Sequence, residues 1–181
     1  MTEEERQGLR RLMDKDEIRE VCLKYARGID RHDDEIGHQA YHEDAIDDHG
    51  FWIGDGRDFL TNVHELHARG WRVHHHYITN QTIEIDGDVA HGETYFLAAL
   101  ARNDGQIDLG GGRYVDRFER RDGRWAIAER ACLLEWRGEF ASRPGDGLHL
   151  HGARDRSDIS YQRPLKLTRE HCNVAPTRTD A

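Results

Sequence analysis

Apolar residues in the first part of the chain recur at helical spacing. Ile18, Val21, Cys22, Tyr25 and Ile29 fall three or four positions apart, on one helical face. Asp16 is placed to cap this helix and Gly28 to help end it, which leaves Asp30 at a helix–helix junction. Residues 1–15 are charged and read as helical or frayed. A short second helix is predicted over Asp33 to Tyr41. A third covers Arg57 to Ala68, with Phe59, Leu60, Val63 and Leu66 as its apolar stripe. Between them Ala45 to Trp52 reads as a strand carrying Ala45, Asp47, His49 and Phe51 on one face. The second half is strand-rich. Strands are predicted over His74–Ile85, Val89–Ala101, Gly110–Glu119 and Trp125–Trp136. Asp86-Gly87-Asp88, Asn103-Asp104-Gly105 and Arg121-Asp122-Gly123-Arg124 turn between them. Three helices and then an antiparallel meander give an α+β domain, with the helices on one face of a curved sheet. The domain is placed at residues 1–137. Residues 138–181 hold all three prolines and read as an extended tail that wraps the domain or a neighbour.

Composition narrows the partners. A chain of 181 residues makes one domain with a real core. Its 26 Lys+Arg against 35 Asp+Glu give a net charge of −9, which argues against nucleic acid. A small anionic ligand held by one arginine is still allowed. Cys22, Cys132 and Cys172 are widely spaced, with no Cys-x-x-Cys, as expected of reduced thiols in a cytoplasmic protein. The acidic start, with no apolar run behind it, predicts no signal peptide and no membrane partner.

Candidate chemistry gathers at a few positions. In His74-His75-His76, strand alternation points His74 and His76 one way and His75 the other. A carboxylate such as Asp30 can hold an imidazole in one tautomer and raise its basicity. Arg130, with Ala126, Ala128, Cys132, Leu134 and Trp136 taken as its face, either makes a core salt bridge or lines a cavity. Gly110-Gly111-Gly112 either bends the strand or opens room for a ligand beside Tyr114. His74-x-His76 with His49 or Asp47 could supply zinc ligands. With no His-Glu-x-x-His and no cysteine pair, no metal is assigned. The sequence has no Gly-x-Ser-x-Gly elbow, no Walker loop and no Gly-x-Gly-x-x-Gly after a strand, so no cofactor is assigned either.

These pieces, in order, resemble the SnoaL-like branch of the nuclear transport factor 2-like (NTF2-like) superfamily. The resemblance rests on Lys24-Tyr25-Ala26-Arg27-Gly28-Ile29-Asp30, Tyr41-His42-Glu43-Asp44-Ala45, His76-Tyr77-Ile78-Thr79-Asn80, Ile85-Asp86-Gly87-Asp88, and Gly111-Gly112-Arg113-Tyr114 through Phe118-Glu119-Arg120-Arg121-Asp122-Gly123-Arg124-Trp125 to Arg130. It spans roughly residues 10–137. It implies a cone in which helices wrap a strongly bent sheet around one pocket. Its characterised members include scytalone dehydratase, bile acid 7α-dehydratase and hexachlorocyclohexane dehydrochlorinase, cofactor-free lyases with an Asp–His pair. By that resemblance Asp30, His76, Tyr25 and Arg130 are the catalytic set. The dehydrochlorinase carries lysine where this chain has Tyr25, so dehydrochlorination itself is not implied. Strand parity adds Asp47, His49, His74, Tyr95, Leu97, Tyr114 and Leu134 as expected pocket walls. The expected activity is proton abstraction followed by elimination, or retro-aldol cleavage, on a small cyclic or aromatic hydroxylated compound. The superfamily also includes polyketide cyclases and isomerases, non-catalytic binders and small subunits of aromatic-ring dioxygenases. A homo-oligomer, trimer or dimer, is expected.

Overall fold

The computed structural model describes residues 1–143 and 150–167. Helix α1 spans Glu3–Arg31, α2 spans Asp34–His38 and α3 spans Gly56–Gly70. The strands are β1 (Tyr41–Asp48), β2 (Ile53–Asp55), β3 (Trp71–Asp86), β4 (Val89–Arg102), β5 (Gln106–Arg121) and β6 (Arg124–Ala141). This is the helix-then-meander order expected from the sequence.

Helix α1 starts well before Asp16. The Thr2 hydroxyl accepts from the Glu5 N–H, and the Glu5 carboxylate accepts from the Thr2 N–H, a reciprocal cap that satisfies two free donors. Residues 1–15 are therefore not a frayed lead. Asp14 is buried and accepts from Trp125 Nε1 at 3.0 Å and Arg120 Nη1 at 2.7 Å, tying the helix to the far end of the sheet. The helix passes through Gly28 and ends at His32, which sits in the left-handed region at φ 50°. Gly28 has a different job from the predicted stop. A Cβ there would lie 2.5 Å from Gly37 Cα, so its bare backbone lets α2 pack directly on α1.

The six strands form one sheet in the order β2-β1-β6-β5-β4-β3. Only the β1–β6 pairing is parallel. The predicted Ala45–Trp52 strand is displaced. β1 begins at Tyr41, in what was expected to be helix, and β2 turns back after it. Bulges interrupt the ladders in β3, β5 and β6, and bulges bend strands. One of them changes which residues face inward. Phe118 opposes Ile127 while Arg117 opposes Glu129, so Ala128 has no partner. Ile127 and Arg130 therefore both point into the core, whereas uninterrupted alternation put them on opposite faces. The triple glycine marks a second bulge. A Cβ on Gly111 would meet the Trp136 ring at 2.3 Å, and one on Gly112 the Leu133 carbonyl at 1.9 Å. At these two the space is taken by β6, not left for a ligand, whereas Gly110 borders a hollow next to Leu134.

The core lies between the concave sheet and the helices. It gathers Ile18, Val21, Cys22, Tyr25 and Ile29 of α1, Phe59, Leu60 and Val63 of α3, and Phe96, Tyr114, Phe118 and Ile127 of the sheet. Leu66, expected in the α3 stripe, is 45% exposed, and His64 and His67 are buried instead. Strand β6 runs to Ala141, past the boundary drawn at residue 137. Residues 150–167 return to the α1–α2 junction. There Tyr161 donates to Asp33 at 2.6 Å, Arg156 to Glu35 at 2.7 Å and Arg31 to the Ala153 carbonyl at 3.3 Å. Cys172, Pro144 and Pro176 lie outside the described residues. No described helix is long and apolar enough to cross a membrane.

Candidate active site

A cavity of about 210 Å³ opens between α1, α3 and the concave face of the sheet. Tyr25 and Ile29 enter it from α1, and Phe59, Val63 and His67 from α3. His49 and Phe51 come from the segment after β1, and His76, Phe96, Tyr114, Cys132 and Leu134 from the sheet. Most of these side chains are apolar, as in a pocket that holds a small organic molecule. A second hollow of about 540 Å³ lies beyond Leu134, against Trp71, Leu109 and Arg137. It shares Leu134 with the first but contains no histidine, so the acid–base groups belong to the smaller cavity.

Asp30 and His76 meet as expected from the sequence. Asp30 stands in the last turn of α1, which packs against β3 beside His76. The Asp30 carboxylate accepts from the His76 backbone N–H at 2.9 Å and lies 2.7 Å from Nδ1 of the same residue. The backbone donor fixes the carboxylate, and the carboxylate then favours a proton on Nδ1. Nε2 is left with its lone pair, the form a general base requires. The two side chains are only 11% and 14% exposed.

A second histidine–carboxylate pair serves the same cavity. Asp47, fully buried, accepts from Tyr41 and pairs with His49 Nδ1. His49 Nε2 lies 3.2 Å from the Tyr25 hydroxyl, and its ring stacks on Phe59 at 4.0 Å. Burial pushes the Tyr25 phenol well above its ordinary pKa, so it stays a neutral donor. His49 and His76 come from opposite edges of the sheet, and Tyr25 from the helix that covers it.

Arg130 takes the structural option. Its Nε and Nη2 donate to the two oxygens of Asp116 at 2.7 and 2.8 Å. Its guanidinium packs against both the Tyr25 and Tyr114 rings, 4.2 Å from each centroid, and those rings meet edge to face. Burial opposes the Arg130 charge, but Asp116 and the surrounding tyrosines outweigh it and hold its pKa above the ordinary value. Arg130 does not line the cavity. It stiffens the two phenols that do. Asp47 likewise stands behind His49.

Two predicted wall residues face the other way. Tyr95 and Leu97 are 41% and 38% exposed on the convex side of the sheet, and Thr94, Phe96 and Ala98 point inward. Apolar residues stand on both faces of β4, Phe96 and Leu100 inside and Tyr95 and Leu97 outside, so the parity chosen from the sequence took the outer face. His74 does point inward, but it is buried behind the wall against His67, with ring centroids 4.1 Å apart. Ile29, Phe51, Phe59, Val63, His67, Phe96 and Cys132 were not assigned to the site from the sequence. The i, i+4, i+8 spacing of Phe59, Val63 and His67 on α3 is the signal that could have found three of them.

The SnoaL-like domain family matches residues 10–131. No curated protein matches the chain. Among solved structures, a hexachlorocyclohexane dehydrochlorinase (LinA, type 2) superposes with a TM-score of 0.71 at 20% identity, covering 78% of this chain and 99% of its own. A type 3 dehydrochlorinase from Novosphingobium barchaimii gives 0.67 at 21%, covering 80% and 98%. A Mycobacterium tuberculosis protein of unknown function (Rv3472) gives 0.61 at 30%, covering 68% and 77%. At such identities the dehydrochlorinases speak to the fold alone. The matched segment runs from α1 through the Asp30–His76 pair to β6, and the chain belongs to the SnoaL-like domain family, with its α+β, NTF2-like fold.

Proposed function

We propose that this protein is a cofactor-independent lyase acting on a small cyclic or aromatic hydroxylated substrate. The observation that carries the reading is Asp30 holding His76 so that Nε2 is free at an apolar cavity. Carbon acids are weak, so the base must be held against the proton it takes. His76 Nε2 accepts a proton from carbon, and the electron pair left behind forms a carbon–carbon double bond as the adjacent carbon–oxygen bond breaks. The departing hydroxyl takes a proton from Tyr25, which regains one from solvent through His49, and leaves as water. The protonated His76 is stabilised by Asp30 and returns its proton to solvent. Cleavage of a carbon–carbon bond after proton removal from a hydroxyl would use the same base.

Incubating candidate hydroxylated aryl and alicyclic compounds with wild type and His76→Ala, and following loss of water by mass spectrometry, tests the reading. Removal of the base should slow turnover by about 10²–10⁴-fold. Equal turnover in the two proteins removes His76 from the mechanism. We also propose a homo-oligomer, supported by Tyr77, Tyr95, Leu97 and Leu133 exposed together on the convex face. Light scattering of the purified chain measures it directly, and a monomer at micromolar concentration refutes it.

A further inference from the structure

Behind the cavity wall, four histidine rings pack together. His32 caps α1, His64 and His67 lie on α3, and His74 lies on β3. The His32 ring stacks on His64 at 4.6 Å and on His74 at 5.4 Å. His74 is completely buried, and neither of its ring nitrogens has a hydrogen-bond partner among the described residues. Among the same residues, His67 Nδ1 and His64 Nε2 are also buried without partners. A neutral imidazole has one donor and one acceptor, and leaving either unmet in the interior costs about 1–3 kcal/mol. So many unmet nitrogens in one place call for an occupant. Ring nitrogens of His32, His67 and His74 all lie within 4.8 Å of one another.

We infer that His32, His67 and His74 form a binding site for a divalent transition-metal ion that favours imidazole, such as Zn²⁺ or Co²⁺. Three neutral imidazoles converging from three elements are a ligand set such ions accept. The set differs from the one that the sequence spacing suggests, because Asp30 already engages His76 Nδ1. A tetrahedral ion needs ligand nitrogens about 3.3 Å apart at metal–nitrogen distances of about 2.0–2.1 Å, so the rings must close by roughly 1.5 Å. His32 at the helix end and His67 in the last turn of α3 can supply this by side-chain rotation. Arg154 places Nη1 3.5 Å from His32 Nε2, a long contact from the returning segment that must swing aside. The ion would tie the end of α1 to α3 and β3. His67 also lines the cavity, so the ion would sit against the wall of the proposed lyase site without taking part in the steps above. The inference goes beyond the lyase reading and does not depend on it.

The test is titration of chelator-treated protein with Co²⁺, followed by visible absorption, with Zn²⁺ displacing it and bound metal counted by mass spectrometry. Wild type should bind one ion per chain with an intense tetrahedral spectrum and melt at a higher temperature when loaded. His32→Asn keeps a residue that accepts the left-handed cap. It should weaken binding at least about a hundredfold, as should His67→Ala. Arg154→Gln, which removes the opposing charge, should bind tighter. His75→Ala, on the other face of the same strand, and His76→Ala should bind like wild type. Absence of stoichiometric binding to wild type, or equal binding by wild type and His32→Asn, overturns the site.

Discussion

Replacing Asp30 by asparagine tests the central geometry without a substrate. The carboxylate faces two groups at once, the His76 backbone N–H at 2.9 Å and His76 Nδ1 at 2.7 Å. The backbone group can only donate, so the asparagine oxygen must turn toward it. That puts the amide NH₂ against Nδ1, which must then accept, and the ring proton moves to Nε2. A hydrogen bond to a charged partner is worth about 1.5–3 kcal/mol. At about 2 kcal/mol the wild-type ring prefers the Nδ1–H tautomer roughly 30-fold over the alternative. In Asp30→Asn the preference reverses. Nitrogen-15 NMR distinguishes a protonated ring nitrogen from one with a free lone pair, and the His76→Ala spectrum assigns the resonance. Where turnover is measurable, the variant should lose about 10³–10⁴-fold in kcat while keeping its fold, as expected when a base is held in the wrong tautomer. An unchanged Nδ1–H signal in Asp30→Asn would falsify the orienting role given to the carboxylate.

Three further outcomes follow from the packing. Asp116→Asn strands the Arg130 charge, which is only 3% exposed, and should cost about 3–5 kcal/mol in urea unfolding; a loss under about 1 kcal/mol contradicts the buried pair. Gly28→Ala should destabilise by about 1–3 kcal/mol despite alanine's helix preference, because its methyl meets Gly37 backbone at 2.5 and 2.8 Å; a more stable variant shows that α2 can move away. Burial pushes the Cys132 thiol up from its ordinary 9.0 to about 12. At pH 8.5 its thiolate fraction should then be lower than an ordinary thiol's by on the order of 10³, and alkylation correspondingly slower. Because the pKa is raised, the alkylation rate should keep climbing about tenfold per pH unit between pH 9 and 11. A plateau near pH 9 refutes the burial.

The sequence by itself was enough for the three helices and the four-strand meander with its turns, but not for β2, and the resemblance supplied the Asp30–His76 pair as an expectation. Helical spacing and strand alternation are local properties, and the ordered motifs carried the family resemblance that paired two distant residues. It could not say which face of β4 points inward. Tyr95 and Leu97 on one face and Phe96 and Leu100 on the other are equally able to fill a core, and only the packed sheet shows that Thr94, Phe96 and Ala98 face inward. Nor could it foresee the bulge at Ala128, which turns Arg130 toward Asp116 and the tyrosines; a bulge is a mismatch between two strands and is invisible in either alone. The histidine cluster has the same origin. His32, His67 and His74 are far apart in the chain and become neighbours only because α1, α3 and β3 share one end of the domain, where tertiary packing rather than local propensity sets which side chains meet.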